Sequence, residues 1–467
     1  MNTHYRPEAL YANGGFTTDT GLLADDAGRI RKYAVEGAAL PQTVAFPRRA
    51  MLPGLIDVHS HSFQRLIRGK SESRRTSGKD FWSWRGTMYH AAAQLTPQDV
   101  YDVARMAFLE MALAGVTTVG EFHYLHNAPD GRPYDDPNLL GQQVIAAAQS
   151  VGIRIVLLRS AYFRSGYGVP TDPGQTRFFE NRKDFIANTE VLSAAYEGKR
   201  DEVQVGIAPH SIRAVPLKDL REIAAWAGAK GLPVHMHVSE QVAENAACIA
   251  EYGSTPVSLL AKEGLLTRSL TAVHATHTTD EETRMMADAG AIICACPTTE
   301  RNLGDGILSA DSVMRAGIRV ALGSDSQAQI DLLEDARQLD YHLRLSHQQR
   351  AVLDQVHEQP LASRLLDCAT INGAKSLGVA AGELVDGAYA DFITVDLDHP
   401  SIAGNSPEDL LPMIIFGLTP SAIRDVAVNG RLIIRDGKHE LGEEIIGRYQ
   451  EVYRKVWTNV PQESMRS

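Results

Sequence analysis

Eight short apolar runs, rich in β-branched residues, recur between positions 55 and 325 and constrain the fold more than any other feature. They cover residues 55–61, 116–123, 153–162, 203–210, 233–240, 270–277, 291–296 and 319–325. Near-continuous apolar runs are typical of parallel strands that are buried on both faces. Helical patterns lie between many of them, as at 97–114 and 217–229, and each of these two is followed by a glycine before the next run. Eight alternating β and α units predict a closed (β/α)8 barrel, a TIM barrel of the α/β class.

The two ends of the chain show short strand-like pieces with turn signals, so we assign both to one smaller domain. Residues 1–50 and 383–440 are expected to form a composite β-sandwich domain, and residues 51–382 the barrel. The stretch 423–434 predicts a hairpin around Asn429-Gly430. Residues 441–467 are expected to form a C-terminal helix and tail. Its apolar face would contain Ile446, Tyr449, Tyr453 and Val456.

Charge and cysteine content limit the partners and the compartment. The formal net charge of −11 argues against a nucleic acid or an anionic membrane as partner. An anionic substrate would therefore need a locally basic pocket. The first eleven residues lack the layout of a secretory signal, and no apolar run is long enough to cross a bilayer. The four cysteines match no disulfide framework or CxxC zinc site, so we expect a cytoplasmic protein.

Histidines and carboxylates stand at the ends of four predicted strands, where barrel enzymes place their active sites. The first run ends in His59-Ser-His61, and side chains at positions i and i+2 of a strand point to the same side. The fifth run contains His237, three residues before a glutamate. The sixth run contains His274, and the eighth ends in Asp325. Nitrogen and oxygen ligands without a thiolate suit Zn²⁺, although Fe²⁺ or Mn²⁺ would also fit. The pattern thus predicts a metal centre at one rim of the barrel.

Four further side chains near these strand ends are expected to be structural. His235 lies deeper in the fifth strand than His237 and is interpreted as a buried structural histidine. His277 is assigned to a loop, and Cys294 and Cys296 to the core.

The chain resembles the amidohydrolase superfamily over nearly its whole length, and two motifs carry the resemblance. They are the Pro53-Gly-Leu-Ile-Asp-Val-His-Ser-His run and the later Gly382-Glu-Leu-Val-Asp-Gly-Ala-Tyr-Ala-Asp run. The resemblance implies a barrel with a composite β-sandwich and commonly a homodimer. It also implies one Zn²⁺ per subunit held by His59, His61, His237 and Asp325. A carbamate-bridged two-metal site is disfavoured, because no lysine stands at the end of the fourth strand.

The resemblance to the mononuclear aminohydrolase branch also implies acid–base groups. Glu240 of the HxxE motif would carry a proton to the departing nitrogen. His274 resembles the histidine that orients or deprotonates the attacking water, and Asp325 would both bind the metal and accept a hydrogen bond from that water. A divalent metal with an open coordination position makes such a water acidic enough to react at neutral pH. Whether His274 or Glu240 first takes the proton stays open, because coupled groups titrate as a pair.

The remaining strand-end loops carry cationic groups and indicate the substrate. They contain Ala208-Pro-His-Ser-Ile-Arg213, Phe81-Trp-Ser-Trp-Arg85 and Pro297-Thr-Thr-Glu-Arg-Asn-Leu-Gly-Asp-Gly306. These stretches resemble the formimidoylglutamate deiminase family, which converts N-formimino-L-glutamate and water to N-formyl-L-glutamate and ammonia in histidine degradation. The substrate has two carboxylates, and two guanidinium groups would anchor them. The resemblance assigns substrate binding to Gln64, Arg85, Tyr124, His210 and Arg213.

Three rival functions predict other features. A related aminohydrolase that deaminates a guanine- or adenosyl-type heterocycle would need aromatic stacking groups in place of two arginines. A catalytically inactive barrel would lack metal ligands, whereas all four are present here. An amide-hydrolysing relative of the imidazolonepropionase type fits the HxxE motif and Arg213 less well.

Overall fold

The computed structural model describes residues 2–31, 42–70, 72, 81–356, 358–404 and 406–458, apart from the side chains of residues 81–83. The chain starts in a smaller sheet with five strands: β1 (Thr3–Ala12), β2 (Gly15–Thr17), β3 (Leu22–Ala24), β4 (Ile30–Arg31) and β5 (Gln42–Pro53). One residue after β5, the chain enters the barrel.

Eight parallel strands form the barrel. They are β6 (Leu55–Ser60), β7 (Val116–His123), β8 (Arg154–Ala161), β9 (Val203–Pro209), β10 (Val234–Val238), β11 (Leu270–His274), β12 (Ile292–Ala295) and β13 (Arg319–Leu322). Each pairs with the next in sequence, and a parallel bridge between Ser60 and Asp325 joins the last strand to the first. The predicted (β/α)8 barrel is confirmed. Most of the predicted runs extend past the observed strands, because they include the loop residues that carry the polar groups.

Helices surround the barrel. They are α1 (Phe81–Ala92), α2 (Pro97–Leu113), α3 (Leu139–Val151), α4 (Arg182–Ala195), α5 (Leu217–Lys230), α6 (Val242–Tyr252), α7 (Pro256–Lys262), α8 (Asp280–Ala289), α9 (Pro297–Leu303), α10 (Ala310–Arg315), α11 (Leu332–His347), α12 (Leu361–Ala369), α13 (Ile371–Leu377), α14 (Leu410–Gly417) and α15 (Gly442–Trp457). Thr96 begins α2 with a capping box that it forms with Asp99. Within the described ranges, every helix is too short or too polar to cross a bilayer.

The smaller domain is composite, as the sequence predicted. Its mixed sheet combines the five N-terminal strands with β14 (Phe392–Asp396), β15 (Ile423–Val428) and β16 (Arg431–Ile434). β15 and β16 form the expected antiparallel hairpin. Its turn residues Asn429 and Gly430 have φ values of 51° and 70°, as a tight turn between twisted strands requires.

The C-terminal helix packs on the barrel with a face that shares Tyr449 and Val456 with the predicted one. Ile445, Tyr449, Val452 and Val456 are buried, whereas Ile446 is 41% exposed. The prediction for Ile446 was therefore wrong. The side chain of Trp457 donates a hydrogen bond to the carbonyl oxygen of Leu66, which ties the helix to the segment that follows the first barrel strand.

A fully buried ion pair joins the two domains. Arg154 of β8 contacts Asp391, which lies just before β14, and also donates a hydrogen bond to Thr118 at 3.0 Å. We expect Asp391→Ala to lower the free energy of unfolding by about 3–5 kcal/mol, because it leaves a buried guanidinium without its counter-ion. Urea denaturation followed by circular dichroism measures this change.

An exposed ion pair provides the control for that experiment. Arg48 and Asp398 form a pair on the surface of the smaller domain, with 55% and 61% of their side chains exposed. Asp398→Ala should leave the unfolding transition nearly unchanged, since exposed pairs contribute little. Equal losses in the two variants would contradict the role that we assign to the buried pair.

Candidate active site

Four histidines and one aspartate converge at the carboxyl end of the barrel. Nε2 of His59 lies 3.2 Å from Nε2 of His237 and 3.3 Å from Oδ1 of Asp325. Nε2 of His61 also lies 3.3 Å from Oδ1 of Asp325, and Nε2 of His274 lies 3.6 Å from Oδ2 of the same carboxylate. All five side chains are buried. The donor atoms of His59, His237, His274 and Asp325 all lie within 4.8 Å of one another, which makes this group a possible metal site.

Backbone carbonyl groups orient two of the histidine rings. Nδ1 of His61 donates a hydrogen bond to the carbonyl oxygen of Phe122 at 2.9 Å, and Nδ1 of His237 donates one to the carbonyl oxygen of His210 at 3.0 Å. With Nδ1 protonated, the lone pair of Nε2 in each ring points into the cluster. Such outer contacts are typical of histidines that bind metals.

The electrostatics of the cluster also fit a metal ion. Burial lowers the pKa of His59, His61 and His237, so each ring is neutral, which is the form that binds metals. Neutral lone pairs 3.2 Å apart repel each other unless a cation lies between them. Tetrahedral ligands at ordinary Zn–N distances are separated by about 3.3 Å. The observed donor separations therefore match a mononuclear site.

The closure of the barrel places the aspartate. The backbone N–H of Asp325 donates to the carbonyl oxygen of His59 at 2.9 Å, and the N–H of His61 donates to the carbonyl oxygen of Asp325 at 3.0 Å. Asp325 and His274 have left-handed backbone angles, with φ values of 47° and 70°. Non-glycine residues rarely adopt this conformation, and where they do they often belong to functional sites.

Glu240 and His274 form an acid–base pair beside the possible metal site. Oε1 of Glu240 lies 3.9 Å from Nε2 of His274. Burial raises the pKa of Glu240, which favours the protonated form of its carboxyl group. Burial opposes a charge on His274, but the carboxylates of Glu240, Glu300 and Asp325 together hold its pKa well above the usual value.

Glu300 is a site residue that the sequence analysis did not assign to the chemistry. It lies on α9 and contacts the site. Its Oε1 lies 3.3 Å from Nδ1 of His274 and accepts a hydrogen bond from the N–H of Cys296 at 2.9 Å. The carboxylate thus orients the imidazole of His274. Glu300 follows the seventh strand, and the loops that follow barrel strands form the catalytic face. This position in the sequence could have identified it as a site residue.

A cavity adjoins the cluster and contains every substrate-binding residue that the sequence predicted. It is lined by His61, Gln64, Trp84, Arg85, Met88, Tyr89, Tyr124, Tyr162, Phe178, His210, Arg213, His237, Glu240, His274, Leu303 and Asp325. We call this space the inner cavity. Nε2 of Gln64 donates to the hydroxyl of Tyr124 at 2.6 Å, and the ring of His210 packs beside the ring of Tyr162.

The two arginines also line a larger outer cavity of about 650 Å³ that adjoins the inner one. Arg85 is 8% exposed, and its Nε donates to the hydroxyl of Tyr89 at 2.8 Å. Arg213 is half-buried, and its Nε has no hydrogen-bond partner among the described residues. Both guanidinium groups are therefore placed where the two cavities meet.

The histidines and cysteines assigned to structure lie outside the metal cluster. Nε2 of the fully buried His235 lies 3.2 Å from the hydroxyl of Ser376, and burial lowers its pKa to about 4. Nε2 of His277 donates to the carbonyl oxygen of Asp305. The four cysteines of the chain, all within the described ranges, are buried and free of disulfide bonds.

The model of the amidohydrolase family matches residues 50–433 of the chain. The chain belongs to the amidohydrolase family. This amidohydrolase is 37% identical over 397 residues to formimidoylglutamate deiminase from Pseudomonas aeruginosa, which covers 85% of this chain and 86% of that protein. It is 28% identical over 430 residues to 5-methylthioadenosine/S-adenosylhomocysteine deaminase from Halobacterium salinarum, with 90% of each chain covered.

A solved structure supports the same assignment. The amidohydrolase matches the crystal structure of an amidohydrolase from Brucella melitensis with a TM-score of 0.88 and 33% sequence identity. The match covers 97% of this chain and 99% of the other. The family, the barrel and the cluster of His and Asp donors together identify a hydrolytic enzyme with a possible metal site.

Proposed function

We propose that this amidohydrolase hydrolyses the formimino group of N-formimino-L-glutamate and releases N-formyl-L-glutamate and ammonia, as a step of histidine degradation. The observation that carries the proposal is a single cavity that joins the His and Asp cluster to two arginines, Arg85 and Arg213. The deiminase of Pseudomonas aeruginosa, at 37% identity, bears the name of this activity.

We further propose that the metal is one Zn²⁺ per subunit, bound by His59, His61, His237 and Asp325. Imidazole nitrogens with one carboxylate suit this ion. When bound, it would activate a water molecule for attack at neutral pH.

The acid–base residues then move the protons of the reaction. A water molecule adds to the formimino carbon, and one of its protons passes to the pair formed by Glu240 and His274. Glu240 delivers this proton to the terminal nitrogen, which becomes an amino group. The proton of the new hydroxyl group then passes through the same pair to that nitrogen, the bond from carbon to nitrogen breaks, and ammonia leaves while the formyl C=O forms. Glu300 keeps His274 oriented through Nδ1. A pH profile would report the apparent pKa values of the pair.

The cationic groups bind the two carboxylates of the substrate. Arg85 and Arg213 are the anchors, because guanidinium groups pair with carboxylates through two parallel hydrogen bonds. Gln64, Tyr124 and His210 line the same cavity and supply hydrogen-bonding groups around the substrate. This arrangement favours a small dianion over a neutral heterocycle.

The cellular compartment and the oligomeric state of the enzyme remain predictions. Four buried cysteines without disulfides support a reducing cytoplasm. The homodimer expected from the family is checked by light scattering of the purified chain.

An ammonia-release assay with N-formimino-L-glutamate tests the proposed function. We expect Arg213→Met to lower kcat/KM, because a buried carboxylate of the substrate loses its partner. The loss corresponds to about 2–5 kcal/mol in the free energy of transition-state binding. Arg213→Lys is the matched variant: it keeps the charge, loses the bidentate geometry, and should fall between the wild type and the methionine variant.

Guanine and 5-methylthioadenosine serve as competing substrates in the same assay. Faster ammonia release from either compound than from N-formimino-L-glutamate would contradict the proposed function. Unchanged kinetics of Arg213→Met would refute the role that we give to this arginine.

A further inference from the structure

Two tyrosine hydroxyl groups lie beside the arginines in the inner cavity, and the proposed reaction has not yet used either of them. Tyr162 follows directly after β8, the third barrel strand, and Tyr89 is on α1. Both residues line the inner cavity, and Tyr89 also lines the outer one.

The hydroxyl group of Tyr162 is available to a ligand. The residue is only 2% exposed, and its ring packs against the rings of Phe178 and His210. No described residue forms a hydrogen bond with its hydroxyl, and this oxygen is not one of the enclosed polar atoms that lack a partner. Because Tyr162 lines the inner cavity, a ligand in that cavity is the partner that its O–H can reach.

The charges around Tyr162 indicate what that ligand is. Burial raises the pKa of Tyr162 to about 12, while the positive charges of Arg213 and Arg85 act on the same hydroxyl in the opposite direction. The hydroxyl therefore stays protonated and points into a positive region. A hydrogen-bond donor beside two guanidinium groups fits an anion that accepts several bonds, such as a carboxylate.

Tyr89 also lines the inner cavity, and two neighbouring side chains donate to its oxygen. Its oxygen accepts hydrogen bonds from Arg85 and, at 2.6 Å, from Nε2 of Gln175. A phenolic oxygen has two acceptor sites, so these donors occupy them and leave the O–H to donate elsewhere. A Cβ atom on Gly174 would lie 2.8 Å from the Tyr89 ring, so glycine at this position lets the turn that carries Gln175 pack against the ring.

We propose that the hydroxyl groups of Tyr162 and Tyr89 donate hydrogen bonds to one of the two substrate carboxylates that Arg85 and Arg213 anchor. The two tyrosines are then specificity-determining residues for dicarboxylate substrates. This inference rests on the proposed function for the identity of the substrate, but the carboxylate site itself can be tested without turnover.

Phenylalanine variants test the inference by substrate binding and by kinetics. For Tyr162→Phe and Tyr89→Phe we expect KM for N-formimino-L-glutamate to rise about 10-fold or more, since a hydrogen bond to a charged group is lost. We expect kcat to change less than about threefold, because the proposed hydrogen bonds go to a carboxylate and not to the reacting carbon. Tyr196→Phe, a half-buried tyrosine at the end of α4 and outside both cavities, is the matched control.

Two monocarboxylate substrates separate carboxylate binding from packing. N-formiminoglycine lacks the side-chain carboxylate, and N-formimino-4-aminobutyrate lacks the α-carboxylate. For Tyr162→Phe, kcat/KM should fall for N-formimino-L-glutamate and for only one of these two compounds. Equal losses for all three substrates, or no loss for any, would overturn the inference.

Calorimetric titration with glutarate distinguishes this inference from the proposed function. Glutarate has two carboxylates and no formimino group, so its Kd reports the carboxylate site even if the enzyme acts on another substrate. We expect wild-type protein to bind glutarate and Tyr162→Phe to bind it about 10-fold more weakly. An equal Kd in the two proteins, or no binding by the wild type, overturns the inference whatever the substrate proves to be.

Discussion

Glu240→Gln is expected to lower kcat for ammonia release from N-formimino-L-glutamate by about 10²–10⁴-fold, with little change in KM. Glutamine has nearly the shape of glutamate but cannot accept and return a proton, and positioned acid–base groups contribute rate factors of this size. Glu240 lies 3.9 Å from His274 and lines the inner cavity, where a leaving nitrogen would be protonated. Steady-state kinetics with an ammonia-coupled assay measure the effect.

A neighbouring buried glutamate provides the control for this prediction. Glu244 lies one helical turn further on and accepts a hydrogen bond from the backbone N–H of Glu240 at 2.9 Å. Glu244→Gln keeps an acceptor oxygen at that place, so its loss of kcat should be far smaller than that of Glu240→Gln. If both variants lose kcat equally, the carboxyl group of Glu240 has no special part in proton transfer.

Removal of the metal should abolish ammonia release and lower the melting temperature together. The donor groups of His59, His237, His274 and Asp325 are buried and lie close to one another, so the folded chain is prepared to bind a cation that the unfolded chain binds weakly. A ligand present at 1,000 times its Kd stabilises the folded state by about 4 kcal/mol. Dialysis against a chelator followed by Zn²⁺ should lower and then restore both Tm and activity, with metal content measured by mass spectrometry.

Variants of two histidines on the same strand provide the control. His237→Ala removes a proposed ligand and should abolish binding of the metal. His235→Gln alters a buried histidine two residues earlier, which contacts Ser376 rather than the cluster. Folded His235→Gln protein should therefore retain one metal ion per chain. Equal metal content in His237→Ala and the wild type would contradict the proposed ligand set.

The barrel and most of its site could be predicted because their signals are short and local. The barrel strands are buried on both faces over nearly their whole length, and this appears in the sequence as short runs rich in apolar residues. The spacing of His59 and His61, at the end of one strand and just past it, indicated that both side chains point toward the same rim. Since parallel strands in a barrel end at one rim, the order of such motifs was enough to bring Asp325 near both histidines.

Other features required the folded chain. The C-terminal helix is rotated on the barrel so that Ile445 is buried instead of Ile446. The spacing of apolar residues does not distinguish which of these two adjacent isoleucines faces the barrel. Glu300 received no role in the sequence analysis, yet it contacts His274. Tyr162 stood at a strand end and could have been predicted by the rule that was applied to the histidines.

The sequence by itself determined which segments become strands, which of their ends carry histidines and carboxylates, and that two arginines follow in the loops. The tertiary structure alone decided the left-handed backbone of His274 and Asp325, the 3.2–3.6 Å separations of the donors, and the meeting of Tyr89 with Gln175. The physical reason is that strand formation depends on neighbouring residues. Donor geometry instead depends on how the last strand closes against the first, and that contact joins residues more than 250 positions apart.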